Sequence, residues 1–162
     1  MAVDIFLKIP TPAVKGEVTA KGHEDSIQID SFTFGVQQTG HGSRGGGLGA
    51  GKAEFQDMNL VKLVDNSTPT LMQLCATGKH IPTATMTVRK AGDGQLDYYI
   101  VVMSDVLITS VTNSGQFDGD LPHENVAINF SKIDFTYKKQ DKTGALGGPV
   151  QFVYDLKLSS KV

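Results

Sequence analysis

Cysteine is nearly absent: Cys75 stands alone in 162 residues, so no internal disulfide can staple the fold. Long apolar runs are missing too, and none approaches the roughly 20 residues of a membrane-spanning helix. Charge of one sign is not in excess. Lys and Arg number 15 against 17 Asp and Glu, a formal net charge of −2, which leaves no basic field for nucleic acid or an anionic membrane. The opening Met1-Ala2-Val3-Asp4-Ile5-Phe6-Leu7-Lys8 sets charges within an apolar stretch too short for a signal peptide. A chain soluble in the cytosol is expected, with any export by a route that ignores signal peptides. Length favours a single domain over 1–162, large enough to bury its own core.

Catalytic signatures are equally scarce. His23, His41, His80 and His123 are not at metal-ligand spacing from one another or from Cys75, and each reads as a surface or capping histidine. Cys75 reads as a small apolar residue on a helix, since a nucleophile needs a paired base. Glu24-Asp25 and Asp118-Gly119-Asp120 are acidic clusters in loops, and the second lacks the glycine at the required place and the terminal glutamate of an EF-hand calcium loop. No G-x-S-x-G elbow is present. Arg89-Lys90 and Lys138-Lys139 end strand-like runs and read as solvated edges. The expectation is a protein that is not an enzyme, with no catalytic, metal-binding or cofactor-binding residue and no cofactor.

Glycine, by contrast, is concentrated. Gly40-His41-Gly42-Ser43-Arg44-Gly45-Gly46-Gly47-Leu48-Gly49-Ala50-Gly51 holds seven of the 18 glycines, and Lys52 follows. Gly46 to Lys52 has the spacing of a phosphate-binding loop, the alternative being a nucleotide- or phosphate-binding enzyme. The next residue is Ala53, which offers no hydroxyl for magnesium. Ala53 to Leu60 has no helical stripe, N-cap or capping box, so the helix that should receive the phosphate is missing. Gly40, Gly42 and Gly45 also spell a dinucleotide fingerprint, again without a following helix. A mobile contact loop is the better reading.

The rest of the chain reads as strands. Val3, Ile5, Leu7 and Ile9 alternate with Asp4, Phe6 and Lys8, and Pro10 and Pro12 end that strand. Val14 to Val18 reads as a short second strand. Apolar parity changes between Ile29 and Phe32, which predicts a bulge or a strand passing between sheets. Phe55 to Val64 is apolar without a clean period. The one helix signal lies at 66–78: Ser67 or Thr68 to cap, Pro69 in the first turn, a stripe of Leu71, Leu74 and Cys75, and Gly78 beyond the end. Ala84, Met86 and Val88 alternate next. Ala91-Gly92-Asp93-Gly94 marks a hairpin. Leu96 to Val111 is long and β-branched, with a break at Ser104-Asp105. Asn113 to Leu121 and Asp141 to Gly148 read as loops. A parity change near Ser131 predicts a second bulge, and Val150 to Leu158 a last strand. Seven or eight strands and one helix predict a mainly β fold: an antiparallel β-barrel of two sheets with one short α-helix packed at its side.

Ordered segments along the whole chain resemble one family. They are Met1 to Ile9, Lys15-Gly16-Glu17, His23 with Ile27, Ile29, Ser31 and Gly35, and the glycine run closing on Gly51-Lys52. Asp65-Asn66-Ser67-Thr68-Pro69-Thr70-Leu71-Met72, Cys75-Ala76-Thr77-Gly78-Lys79-His80, Val88-Arg89-Lys90-Ala91-Gly92, Glu124 to Ile133 and Gly148-Pro149-Val150 continue the set. In these segments the chain is similar to the hemolysin-coregulated protein (Hcp) family. Where that family often carries Trp, Phe32, Phe34 and Tyr154 stand here, keeping aromatics in the core. No fused C-terminal toxin domain is indicated.

The resemblance implies a tube subunit of the bacterial type VI secretion system, phage tail-tube-like in fold. Its partners would be itself, as a homohexameric ring and stacked rings, a VgrG-type spike, the contractile sheath, and small effector proteins carried or chaperoned in the lumen. Neither nucleic-acid binding nor membrane insertion is implied. The protein would be made in the cytoplasm of a Gram-negative bacterium and secreted without a signal peptide. The glycine segment, Gly40 to Lys52, is then expected to be the ring-stacking loop. Ser31, Thr33 and Gln37, on the polar face after the first parity change, are the lumen candidates.

Overall fold

The computed structural model describes residues 2–40, 50–91 and 94–161. Among these are twelve strands and one helix: β1 Val3–Lys8, β2 Ile27–Ile29, β3 Ser31–Thr33, β4 Val36–Gly40, β5 Ala50–Phe55, β6 Met58–Leu63, α1 Thr68–Thr77, β7 Ile81–Lys90, β8 Asp97–Ser114, β9 His123–Asn129, β10 Lys132–Gln140, β11 Leu146–Asp155 and β12 Ser160–Lys161. The count exceeds the seven or eight expected because parity changes divide runs that look continuous in sequence.

All ladders are antiparallel. Ten strands form one network, with the order β12-β11-β10-β8-β7-β1-β2 and a branch β8-β9-β6-β3. Strand β8 makes the branch. Its one edge pairs β7, while its other edge pairs β10 through Tyr99–Ser104 and β9 through Leu107–Ser114. The β-branched and aromatic residues of β8 suit this central place. Its inward residues change from Val101 and Met103 to Val106 and Ile108 across Asp105, whose φ is 52°. The strand is therefore not broken at Ser104-Asp105, as expected, but turned over there. Opposite, Phe130 and Ser131 separate β9 from β10, and the Ser131 amide donates to Ser104 O at 3.0 Å. The parity change at Asp30 likewise passes the chain from β1, paired by β2, to β6, paired by β3.

The core gathers inward residues of both layers, among them Leu7, Ile27, Met58, Leu60, Ile81, Met86, Val101, Met103, Ile108 and Ile128, all below 2% exposed. Phe32, Phe34, Cys75 and Tyr154 are partly buried against it. Helix α1 lays Leu71 and Leu74 onto this core, which is what stabilises a helix of only 10 residues. Gly78 ends it at φ 62°, with its amide bonded to Cys75 O.

Several sequence expectations are corrected. Val14 to Val18 is not a strand; only the Ile9–Val14 bridge forms. Strand β8 runs on to Ser114 and β11 begins at Leu146, so both polar loops are shorter than expected. The last long strand ends at Asp155, and residues 156–159 turn back into β12. Phe6 is buried although it points away from Ile5 and Leu7, because Arg89 and His23 cover that second face.

Candidate functional site

Strands β4 and β5 make a two-stranded ribbon apart from the main network, with Val36 opposite Phe55 and Gln37 opposite Glu54. The Gln37 amide donates to Glu54 Oε2 at 3.0 Å. Gly40 ends one arm and Ala50 starts the other, so the glycine segment is borne between them. His41, Gly42, Ser43, Arg44, Gly45, Gly46, Gly47, Leu48 and Gly49 lie outside the described residues. Gly51 and Lys52 belong to β5, and the next element is strand β6, so the strand–loop–helix setting of a phosphate loop is not built around Lys52.

Ser31, Thr33 and Gln37 are all exposed. Ser31 and Thr33 share one face of β3, opposite the half-buried Phe32, while Gln37 stands on the ribbon. The structure therefore places two of them side by side and the third on another element.

Below the ribbon, Phe34, Val36, Phe55, Tyr99, Ile133, Phe135 and Phe152 line an apolar cleft of about 270 Å³. Around it Tyr99 and Phe135 pack edge to face with centroids 4.7 Å apart, while Phe55 and Phe152 stack with centroids 6.4 Å apart. Val36 at its rim is 55% exposed. Elsewhere Phe117 projects wholly into solvent.

Buried charge is concentrated at the start of α1. Lys62 and Glu124 oppose each other in register on β6 and β9, both fully buried. Lys62 Nζ lies 2.5 Å from Glu124 Oε2 and 3.1 Å from Asp65 Oδ1, and also donates to Leu63 O. The Thr68 hydroxyl donates to Glu124 Oε2 at 2.6 Å. Asp65 accepts from the Ser67 amide at 2.9 Å and from the Ser67 hydroxyl. Neither Ser67 nor Thr68 thus caps the helix by its side chain, as was expected; both hydroxyls serve the carboxylates. The signal for this pair was in the sequence. Lys62 continues the inward parity of Met58 and Leu60, and Glu124 that of Val126 and Ile128.

Two histidine environments are also resolved. His23 is not a surface residue: it stacks on Phe6 at 4.6 Å, with Nε2 3.0 Å from Asp97 Oδ1. Arg89, expected as a solvated edge, is 5% exposed, lies over the same Phe6 ring at 4.9 Å, and faces Asp4 at 3.5 Å. His80 Nδ1 lies 3.1 Å from Asp105 Oδ1, and Ser131 Oγ donates to Asp105 Oδ2 at 3.0 Å. Lys157 Nζ adds a contact of 2.5 Å. The Lys157 hydrogen bond first, then that of Ser131, hold the Asp105 carboxyl down at about 2, and Asp105 raises Lys157 in return. Ser131 gives its hydroxyl proton to a carboxylate and not to an imidazole, so these three side chains do not form a nucleophile–base pair. With Lys157 they tie α1's exit, the turned-over point of β8 and the last turn together. His123 is exposed at the start of β9. Among the described residues, no group of three His, Cys, Asp or Glu is placed to hold a metal ion, and no helix is long and apolar enough to cross a membrane.

Comparison with known proteins agrees with this architecture. Residues 6–137 match the family described as "Type VI secretion system effector, Hcp". The chain is 42% identical over 159 residues to Protein hcp1 of Pseudomonas aeruginosa, covering 97% of each. The crystal structure of Hcp1 from Salmonella typhimurium superposes with a TM-score of 0.83 at 31% identity, covering 100% of both chains. A type six secretion system protein reaches a TM-score of 0.93 over 99% of this chain and 100% of its own, its 24% identity speaking to fold alone. The chain belongs to the Hcp family of the type VI secretion system.

Proposed function

We propose that this protein is a structural tube subunit without enzymatic activity, forming homohexameric rings that stack into a tube. The match to the Hcp family along nearly the whole chain carries this reading. The ribbon of β4 and β5 supports a stacking arm: a pair of strands standing apart from the main sheet gains partners when a neighbouring ring meets its tip. Ring closure uses two different patches of each copy. The exposed Ser31, Thr33 and Gln37 give a polar, uncharged lining suited to small effectors, which the tube carries outward with a VgrG-type spike under the drive of the sheath. The subunit is made in the cytoplasm and leaves without a signal peptide.

Electron microscopy of the purified protein tests this. Six-fold rings, and stacks of them at high concentration, are expected. Monodisperse monomers across concentration and salt would overturn it.

A further inference from the structure

Phe117 and the aromatic cleft are complementary features of one chain that do not meet. Gln116 to Gly119 forms a turn closed by the Gly119 amide on Gln116 O at 3.2 Å, and Phe117 stands at its first central position. It is 102% exposed and so touches essentially nothing of its own copy. A phenyl ring held in water by a bonded turn leaves its apolar area uncovered. The cleft is the reverse: seven apolar side chains surround about 270 Å³ that none of them fills. A cavity of about 150 Å³ suffices for benzene, so one phenyl ring fits, with room for edge-to-face contacts to Tyr99, Phe135 and Phe152.

Charge is complementary as well. The turn bears Asp118 and Asp120, with no cation from Asn113 to Leu121. On β10, Lys139 is exposed four residues beyond the cleft residue Phe135, where the pairing with β11 shifts register between Lys138 and Gln140. Tyr99 in the cleft and Ser114 beneath the turn sit at opposite ends of β8. Knob and hole are thus two different patches, and a contact between them is head-to-tail, the type that repeats into rings or stacks.

We propose that Phe117 of one copy seats in the cleft formed by Phe34, Phe55, Tyr99, Phe135 and Phe152 of a second copy, with Asp118 and Asp120 towards Lys139. This rests on the reading of the chain as a self-assembling subunit. On a Cys75→Ser background that keeps Phe117, Val36→Cys with Gln116→Cys is oxidised and run on a non-reducing gel. A covalent ladder of three or more copies is expected, with neither single cysteine giving more than two. No ladder, or one that stops at two, overturns the contact. Separately, Phe117→Asp should weaken association at least tenfold by sedimentation without lowering the monomer's melting temperature, and Phe117→Leu should retain most of it. Unchanged association of Phe117→Asp also overturns the proposal. Wild-type rings under the microscope without a ladder would remove this contact and leave the tube reading standing. Wild-type monomers at all concentrations would remove both.

Discussion

Lys62 and Glu124 face each other across neighbouring strands, Nζ to Oε2 at 2.5 Å, with both side chains shut off from solvent. Their cluster joins β6, β9 and the first residue of α1 in one set of hydrogen bonds. A buried ion pair is weak support for stability compared with apolar packing, but losing one partner leaves an uncompensated charge. Glu124→Ala is expected to cost about 3–5 kcal/mol in urea denaturation. Joint replacement by Met at 62 and Leu at 124 should cost less than Glu124→Ala alone. Equal or larger loss in the double variant would mean that the pair contributes net stability.

Asp105 sets a pH dependence. Its carboxyl lies at about 2 in the folded protein, below the ordinary value of 3.8. The folded state therefore favours the ionised form, and the resulting stability is fully present above about pH 4. It is lost as pH falls through the interval from about 4 to about 2. Denaturation midpoints measured across that range should fall less steeply in Asp105→Asn than in the wild type. Parallel curves would show that other carboxylates govern the acid limb.

Gly16 occupies a position with no room for a side chain. A Cβ there would sit 2.3 Å from Ser26 O and 2.7 Å from Ile27 Cα, where the Gly16 amide bonds to Asp25 O at 2.8 Å. Backbone must move, so Gly16→Ala should destabilise by about 1–3 kcal/mol. At Gly148 an added Cβ meets nothing within 4 Å, and Gly148→Ala should change stability by less than about 0.5 kcal/mol. Thermal melts of the two variants side by side make the comparison.

The stacking role proposed for the glycine segment would separate ring closure from stacking. Bulky replacements at Gly45, Gly46 and Gly47 should leave rings intact while stacks shorten or vanish, as counted in micrographs. A loss of rings as well as stacks would assign the segment to the fold itself.

Much of this was legible from local pattern. Helix α1 was readable because Pro69, the Leu71–Leu74 spacing and Gly78 each act within a few residues. The parity changes between Ile29 and Phe32 and near Ser131 were readable because alternation has a period of two and a slip reverses every face. What those slips mean was not readable locally. Asp105 looks like a break in sequence, yet β7 continues past it in unbroken register and holds β8 as one strand. Arg89 looks like a strand-end cation, and only β1 brings Phe6 and Asp4 against it. Lys62 and Glu124 stand 62 residues apart, so their inward parity marks each as odd without naming its partner.

The sequence by itself determined the strand-rich class, the single helix, the absence of a magnesium ligand after Lys52 and the family resemblance. These rest on short-range periodicity, on residue chemistry or on ordered identity along the chain. Tertiary structure alone decided that Lys62 and Glu124 face each other, that His23 is packed and His80 is not, and that Phe117 is left uncovered while aromatic residues from distant strands line one cleft. Burial and pairing are properties of residues brought together from distant parts of the chain, and only the folded arrangement of strands fixes which ones meet.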